Sequence, residues 1–529
     1  MRRGPGHRPP GVPGDRRRAD VVHRPQGGLV TGTTTPNGYL GAEAMITSGP
    51  APELVDAGYA LEIADAPLLH RGLTLADLAH LLALIDCRVL SEAEVRPLLR
   101  RLLDLLDTPA AEFEYDPAYG DAYNSRERVL ERELGPDAGR LHLGRTRREA
   151  GRIAFRLALR EHLLDLHDAV TGFAEALAVA ETDAADTLWA DTTYLQPAQP
   201  STFGHYLGGF AEQAVRHLDR IADAHRQADV SPGGSGGVGG TRLPLDRNHL
   251  AALLGFAAAG RHTRDVMWST DGLVDAVGAA TQAVLTVDQL AEDLEIFASP
   301  AFGYVTLDAS LCRASVLMPQ KRNPYALAVI RGGASTVVGR LTGLLVTRRS
   351  PSARTDSWLY AYGEVAGALA LSTRLVRLGT AVVRGLTPNT ENLAAQAGAH
   401  HTGAADLAED FARHLGLDYR TAYRVVGRAV SMAGEHALTP ALLAEAAEQV
   451  TGAALVVPDR LVALAAEPRC LVAERVAEGG AAPHRVREHA AAVAGSVAAA
   501  REWHQARFEH ARDAEQALVA SAHAMASGR

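Results

Sequence analysis

The segment from Ser315 to Pro324 holds the residues with the clearest potential for chemistry. Asn followed by Pro is a strong helix start, so Asn323 is predicted to cap a helix whose first position is Pro324. The free N–H groups and positive dipole end of such a start favour an anion. Lys321 adds a full positive charge, and Ser315 supplies a hydroxyl on the same loop. Together these residues predict a carboxylate site, with an ordinary capped helix beside an exposed lysine as the alternative.

Lys321 is also unusual in the composition, because every other one of the 53 basic residues is an arginine. A chain rich in Ala, Arg and Gly indicates a genome that drives lysine codons toward arginine codons. A retained lysine is therefore a candidate functional residue. Chance is the alternative, since some residue must be the last of its kind, but the neighbouring anion site favours a function.

Composition and charge exclude several classes of protein. A chain of 529 residues predicts two to four domains or one very elongated fold. The net charge of −9 argues against a nucleic-acid binder, and the lack of about 18 uninterrupted apolar residues predicts no membrane span. Cys87, Cys312 and Cys470 are odd in number and far apart, which argues against a disulfide framework or thiolate zinc site. No metal or cofactor is predicted, and a cytoplasmic location is expected.

Apolar residues at spacings of 3 and 4 predict long helices through most of the chain. The clearest patterns run over 159–177, 207–221 and 273–294. Alternating β-branched residues are scarce, so the pattern predicts an all-α fold built around a bundle of long helices. Residues 1–44 are predicted to be a disordered tail, with Met45 as an alternative translation start.

Two segments interrupt the predicted bundle. The glycine-rich run 231–240 lacks the flanking strand and the Lys-Ser/Thr of a phosphate-binding loop, so it is interpreted as a flexible linker. The segment 298–323 lacks strong periodicity, and loops of that length in compact domains are usually functional or disordered. This second segment contains Lys321.

Several collinear motifs carry a resemblance to a known family. Ser315-Val-Leu-Met-Pro-Gln-Lys321-Arg-Asn323 resembles the signature loop Ser-Ser-x-Met-Pro-x-Lys-x-Asn of the aspartase/fumarase superfamily. The likeness covers most of the chain after residue 70, and it is strongest to the argininosuccinate lyase branch. The other matching motifs are Leu141–Arg147, Thr193–His205, Gly239–Arg247, Ser299–Gly303 and Leu417–Gly427.

The resemblance implies an architecture of three helical domains with a long central five-helix bundle. The implied domains span 45–147, 148–388 with the signature loop at 308–323, and 389–529 with an extra terminal helix. It also implies a homotetramer whose twenty-helix core builds each active site from three chains. Ile153, Phe155, Leu285 and Leu290 lie off the main apolar stripes and independently predict helices buried on several sides.

The resemblance further implies anti β-elimination from a succinyl adduct with release of fumarate. Ser315 corresponds to the base, and Lys321 and Asn323 correspond to the clamp on the carboxylate that gains charge. A compact ammonium in that position explains the single lysine, since a planar guanidinium does not replace it. No cofactor is implied. The implied substrate-binding residues are Thr146, Arg147, Arg148, Thr193, Gln199, Met318 and Arg354.

Departures from the family pattern narrow the predicted chemistry. The family's second catalytic pair, a His oriented by a Glu, is replaced here by Tyr194 and Ala328. Tyr194 stays a candidate catalytic residue, as a weak acid or hydrogen-bond donor. Arg148 and Arg354 stand where the family grips a guanidinium, so like-charge repulsion predicts that argininosuccinate is not the main substrate. His262 replaces a family Asn, and its contact with substrate stays open.

Three hypotheses follow from these observations. The first is a fumarate-releasing lyase of specialised metabolism whose leaving group is a weak base, for example nitrosuccinate giving nitrite and fumarate. The second is argininosuccinate lyase itself, and the third is a non-catalytic structural paralogue. All three predict self-association, and the first two predict a small dicarboxylate substrate.

Overall fold

The computed structural model describes residues 49–528, most of which lie in helices. The predicted tail at 1–44 and Met45 lie outside the described residues. The N-terminal region contains α1 (Pro52–Leu54), a π-helical turn (Val55–Tyr59), α2 (Ala60–Ala64), α3 (Ala66–Asp86), α4 (Glu92–Asp107) and α5 (Ala122–Leu134). Local sequence fixes where these helices begin. Ser91 and Glu94 form a capping box before α4, and the Asp121 carboxylate caps α5.

Five long helices form the central bundle, and the predicted all-α fold is confirmed. The stripe over 159–177 is buried in the bundle core, as its spacing predicts. Ile153, Phe155 and Leu290 are also buried, but inside the chain itself, so their positions require no partner copy. The five helices are α6 (Arg147–Asp183), α7 (Phe203–Ala228), α10 (Asp271–Phe297), α11 (Tyr325–Thr347) and α12 (Ala361–Arg384).

Short strand pairs and two short helices connect the bundle helices. The antiparallel pairs are β1 (Leu188–Thr193) with β2 (Gln196–Thr202), β5 (Val305–Leu307) with β8 (Leu386–Pro388), and β6 (Arg313–Ala314) with β7 (Arg322–Asn323). The parallel pair is β3 (Val230–Ser231) with β4 (Ala258–Ala259). The short helices are α8 (Arg247–Leu253) and α9 (Thr263–Trp268).

The C-terminal part of the chain divides between two locations. Helices α14 to α17 enclose a core of their own, whereas α19 returns to the rest of the molecule. Val493 and Val497 of α19 join the bundle core, and Leu518 and Ala522 join the core of the N-terminal helices. The helices are α13 (Thr390–Gly398), α14 (Ala404–His414), α15 (Tyr419–Ala433), α16 (Pro440–Thr451), α17 (Asp459–Ala465), α18 (Pro468–Ala473) and α19 (Pro483–Ser527).

The glycine-rich run 231–240 is a fixed loop, so its interpretation as a flexible linker is wrong. Its first six residues are buried. The buried carboxylate of Glu149 accepts the backbone N–H groups of Gly234 at 2.7 Å and Gly236 at 2.6 Å. Both glycines have a positive φ, a conformation that most side chains disfavour. The run therefore folds onto the start of α6, where Glu149 lies.

Three helices in the described part of the chain are long and apolar enough to cross a membrane, judged by length and composition alone. They are α3, α11 and α12. The criterion of uninterrupted apolar residues does not select them, because polar residues are interspersed. The most apolar window of α3 is 83% buried inside the molecule and that of α12 is 61% buried, whereas that of α11 is only 22% buried. Helix α11 therefore presents an apolar surface that residues 49–528 do not cover.

Candidate active site

The signature loop projects from the end of the bundle as the tip of a two-stranded hairpin. Arg313 pairs with Asn323 in the β6–β7 ladder, and residues 315–321 form the tip. Lys321 is exposed and Ser315 is half-buried, and Ser315 Oγ accepts the N–H groups of Leu317 at 3.3 Å and Met318 at 3.0 Å. The loop therefore exposes its lysine to solvent, whereas the serine oxygen lies within a turn whose backbone N–H groups it accepts.

Asn323 does not cap the helix that follows, which corrects the prediction from the Asn-Pro pair. Helix α11 begins at Tyr325, Pro324 occupies the cap position, and no side-chain cap bond is present there. Asn323 Nδ2 instead donates to the carbonyl oxygen of Arg313 at 3.0 Å. Asn323 belongs to strand β7, which ends before α11 begins. Its side-chain amide therefore helps to close the loop instead of capping the helix.

A second hairpin, β1–β2, presents Thr193, Tyr194 and Gln199. Tyr194 and Leu195 form its turn with φ values of 56° and 59°. Two successive non-glycine residues with positive φ are uncommon and mark a locally strained turn. Tyr194 is 98% exposed, so its side chain makes almost no contact with the other described residues. The hairpin base is anchored by Trp189, which is buried against the aromatic rings of Phe203, Tyr206 and Phe297.

The third predicted group lies at the start of α6. Thr146 caps the helix by accepting the N–H of Glu149 at 3.3 Å. The Arg147 guanidinium pairs with Asp121, and the Arg148 guanidinium pairs with Glu62 at 3.1 Å. Two of the three arginines that the sequence assigns to substrate binding, Arg147 and Arg148, therefore already have carboxylate partners within the chain.

Acidic groups offset the positive charge around Arg148. A cavity of about 30 Å³ is lined by Arg147, Arg148 and three carboxylates, those of Glu62, Asp65 and Asp121. Burial raises the pKa of Glu62 and raises the pKa of Asp65 to about 6. These carboxylates therefore largely cancel the repulsion that Arg148 is predicted to exert on the guanidinium of a substrate. A cavity of that size holds on the order of one water molecule, so this chain alone offers no room for a leaving group there.

Arg354 and His262 lie outside that cavity. Arg354 is exposed, and its carbonyl oxygen accepts the hydroxyl of Ser357 at 3.2 Å. His262 caps α9 through its ring nitrogen, which accepts the N–H of Asp265 at 3.4 Å. The structure thus separates both residues from the paired arginines, with which the sequence pattern had grouped Arg354.

The three predicted groups do not meet within one chain. Helix α6 has 37 residues, which gives a length of about 55 Å. Its first turn carries Arg147 and Arg148, and its last turn leads directly into the β1–β2 hairpin. The signature loop follows α10, whose last residue, Phe297, packs on Trp189 of the hairpin. Loop and hairpin therefore share one end of the bundle, and the arginines occupy the other.

Comparison with known proteins places this arrangement in a family. A family model described as a lyase matches residues 111–339. An argininosuccinate lyase from Methanoculleus marisnigri is 30% identical over 420 residues, which cover 79% of this chain and 85% of that protein. The chain belongs to the aspartase/fumarase superfamily. It is accordingly a carbon–nitrogen lyase of that superfamily.

Solved structures agree with the superfamily assignment. EDDS lyase in complex with formate superposes with a TM-score of 0.79 at 26% identity, over 91% of this chain and 97% of that one. A class II fumarase from Schistosoma mansoni superposes with a TM-score of 0.64, over 78% of this chain and 91% of that one. Its identity of 13% shows a shared fold alone.

Sequence reasoning missed the acidic partners in this lyase. Asp121 has a detectable signal, since it precedes a helix as a cap. Glu62 and Asp65 have none, because only the tertiary fold brings them to the start of α6. Trp358 and Tyr362 line the same cavity from the start of α12. In residues 49–528, no group of His, Cys, Asp and Glu side chains is placed to hold a metal ion.

Proposed function

We propose that this lyase catalyses anti β-elimination from a succinyl adduct and releases fumarate. Ser315 acts as the base and takes a proton from the carbon beside one carboxylate. The observation that carries this role is the pair of N–H groups, of Leu317 and Met318, directed at Ser315 Oγ. Donors preplaced on an oxygen stabilise negative charge there, and a serine must be deprotonated to act as a base.

Lys321 and Asn323 hold the carboxylate that becomes doubly charged when the proton leaves. The electron pair of the broken C–H bond then forms the double bond of fumarate, and the leaving group departs with its own bonding pair. Lys321 supplies the full charge. Asn323 uses one N–H proton for Arg313 and keeps the second for the substrate.

A complete site requires further copies of the chain, because the arginines and the loop lie at opposite ends of a bundle whose helix α6 is about 55 Å long. The exposed apolar side chains of α11 provide surface for this association. They include Val329, Val338, Leu345 and Val346. Exposed apolar surface on a long bundle helix is typical of an interface between subunits. The proposed assembly is a homotetramer in which the loop of one copy meets the start of α6 of another.

The leaving group is proposed to be a weak base. An amine departs poorly without a proton, and the residues at the family's acid positions are Tyr194 and Ala328. Tyr194 lies at the exposed turn of the hairpin, with no carboxylate partner among the described hydrogen bonds. Nitrite needs no proton donor, so nitrosuccinate is the proposed example of the substrate class.

Argininosuccinate is the second candidate substrate, and one observation favours it. The pairing of Arg148 with Glu62 and of Arg147 with Asp121 cancels the repulsion that a guanidinium would meet. Asp65 adds a third carboxylate without a cation of its own among the described ion pairs. An opening of this cavity on assembly would expose an acidic pocket to the leaving group.

Release of fumarate from purified protein tests both candidates. Nitrosuccinate, argininosuccinate and aspartate are supplied separately, and fumarate and nitrite are measured. We expect fumarate and nitrite in equal amounts from nitrosuccinate, and release slower by on the order of 10²–10⁴ from the Ser315→Ala variant. Preference for argininosuccinate would establish the second candidate. If no adduct yields fumarate and the protein does not bind fumarate, the result would support the third hypothesis, a non-catalytic structural paralogue.

A further inference from the structure

A segment that is distant in sequence forms hydrogen bonds with the β1–β2 hairpin near its base. Arg475 Nε donates to the carbonyl oxygen of Pro200 at 3.2 Å, although 275 residues separate the two in sequence. Arg475 Nη2 donates to both carboxylate oxygens of Asp406, at 3.1 and 3.0 Å. A third contact joins the same loop to the first turn of α7, where His205 Nε2 lies 3.0 Å from the carbonyl oxygen of Gly479.

The fork of the Arg475 guanidinium suits this position. Its Nε donates to a carbonyl oxygen of the hairpin, and its Nη2 donates to the carboxylate of Asp406 on α14. Both charged side chains are largely shielded, with exposures of 24% for Arg475 and 16% for Asp406. Hydrogen bonds of charged groups are stronger than neutral ones, and a planar fork is better preorganised than a flexible ammonium. Arg475 therefore ties the hairpin to α14 through two directed contacts.

The segment around Arg475 is itself held in place. The Arg475 carbonyl oxygen accepts the N–H of Ala482 at 3.3 Å. A Cβ atom at Gly480 would collide with that same oxygen, so the loop closes tightly there. The anchor therefore does not depend on a mobile stretch of chain.

The contact lies next to functional residues of the hairpin. Pro200 follows Gln199 directly, and Gln199 pairs across the ladder with Asp191 on β1. The turn ahead of them contains the strained Tyr194 and Leu195. A strained turn persists only where surrounding contacts determine it. The hydrogen bond from Arg475 to Pro200 therefore fixes strand β2, which presents Gln199.

We propose that Arg475 is a positioning residue of the active site, which holds strand β2 and, through its pairing, strand β1, so that Gln199 and Thr193 meet the dicarboxylate. The inference rests on the proposed function, in which those two residues bind substrate. Arg475 does not touch substrate itself, and Asp406 orients its guanidinium.

The test compares Arg475→Met with Arg485→Met in the full-length protein. Arg485 lies in the neighbouring segment, and its described contacts are the Val476 carbonyl oxygen at 2.6 Å and Glu488 at 2.7 Å. Fumarate is the probe, and its affinity is measured by calorimetry. Displacement of a binding group by about 1 Å costs up to about a hundredfold, so we expect fumarate to bind at least about tenfold more weakly to Arg475→Met. Arg485→Met should bind it like the parent.

Two further measurements separate positioning from general stability. Hydrogen exchange of residues 188–202 should accelerate in Arg475→Met, while the melting temperature should stay within a few degrees. Arg475→Lys keeps the charge and should recover part of the affinity. Asp406→Asn should weaken binding as well, and the double variant should lose less than the sum of the two single losses.

The outcomes distinguish this inference from the proposed function. If the parent protein does not bind fumarate, the proposed function fails and the inference fails with it. If the parent binds fumarate and Arg475→Met binds it equally well, only the positioning role is overturned. If Arg475→Met does not fold, the Asp406→Asn variant is used instead. Fumarate binding to Asp406→Asn that equals that of the parent would also overturn the positioning role.

Discussion

Complementation between two inactive variants tests whether the active site is built from more than one chain. The variants are Ser315→Ala in the signature loop and Arg147→Gln at the start of α6. Within one chain the two positions lie at opposite ends of a helix about 55 Å long. No motion of a loop spans that distance, so a site that uses both residues takes them from different copies.

The expected recovery of activity follows from random assembly. With equal amounts of the two subunits, the loop of a given site is intact in about half of cases, and so is its arginine. About a quarter of the sites are then complete, and co-expressed variants should show about a quarter of parental turnover. Fumarate release from nitrosuccinate, or from argininosuccinate if that substrate is preferred, is the assay. Two affinity tags on the two subunits allow mixed assemblies to be purified.

A matched control uses two variants on the same loop. Ser315→Ala mixed with Lys321→Met should not recover activity, because every site receives its whole loop from one defective copy. Recovery in this control would mean that the two residues serve different sites. A mixture of Ser315→Ala and Arg147→Gln that stays at the level of its parents would refute the shared site, provided that Arg147→Gln alone is inactive.

Four other predictions concern single residues. Ser315→Ala should lower turnover by on the order of 10²–10⁴ with little change in melting temperature, and Lys321→Arg should be nearly as harmful, because a planar fork does not replace an ammonium. Tyr194→Phe should cost less than about tenfold in turnover; a loss of three decades would show that Tyr194 acts as the acid and would favour amine leaving groups. Burial against Trp503 lowers the pKa of His167 to about 4, so His167 is neutral in the folded protein and charges on unfolding below about pH 6.5. The free energy of unfolding should therefore fall as the pH drops from about 6.5 toward 4, by about 2 kcal/mol at pH 5 for this group, and urea titrations of His167→Leu should show a shallower fall.

The sequence was sufficient for features that depend on local pattern. The 3–4 spacing of apolar residues located the bundle helices, and residue order in the signature motif located the loop that displays Ser315 and Lys321. Helix α6 and the stripe over 159–177 agree with their pattern because an amphipathic helix buries the stripe wherever it packs.

Features that depend on contacts between distant residues were not predictable. Arg148 and Glu62 are 86 positions apart, and their pairing weakens the charge argument against a guanidinium. Glu149 fixes the glycine-rich run over a similar separation in sequence. It is 85 positions from Gly234 and 87 from Gly236, whose backbone N–H groups it accepts. Asn323 was assigned to a helix cap because the pairing of β6 with β7 leaves no local trace in two-residue strands. In each case a tertiary partner decided between two locally acceptable structures.

The return of α19 to the N-terminal helices has a consequence for how the chain is made. Leu518, Ala522 and Ala526 complete the core around α3 and α4, and Arg100 donates to the carbonyl oxygen of Ala526 at 3.0 Å. At roughly 5–20 residues per second, the ribosome needs on the order of 20–80 s to add the approximately 420 residues between α4 and that helix end. The apolar surface of α3 and α4 that α19 covers in the folded protein therefore stays exposed until α19 has been synthesised. We therefore expect chaperones to engage the nascent N-terminal region, and removal of residues 518–528 to destabilise the core around α3 and α4.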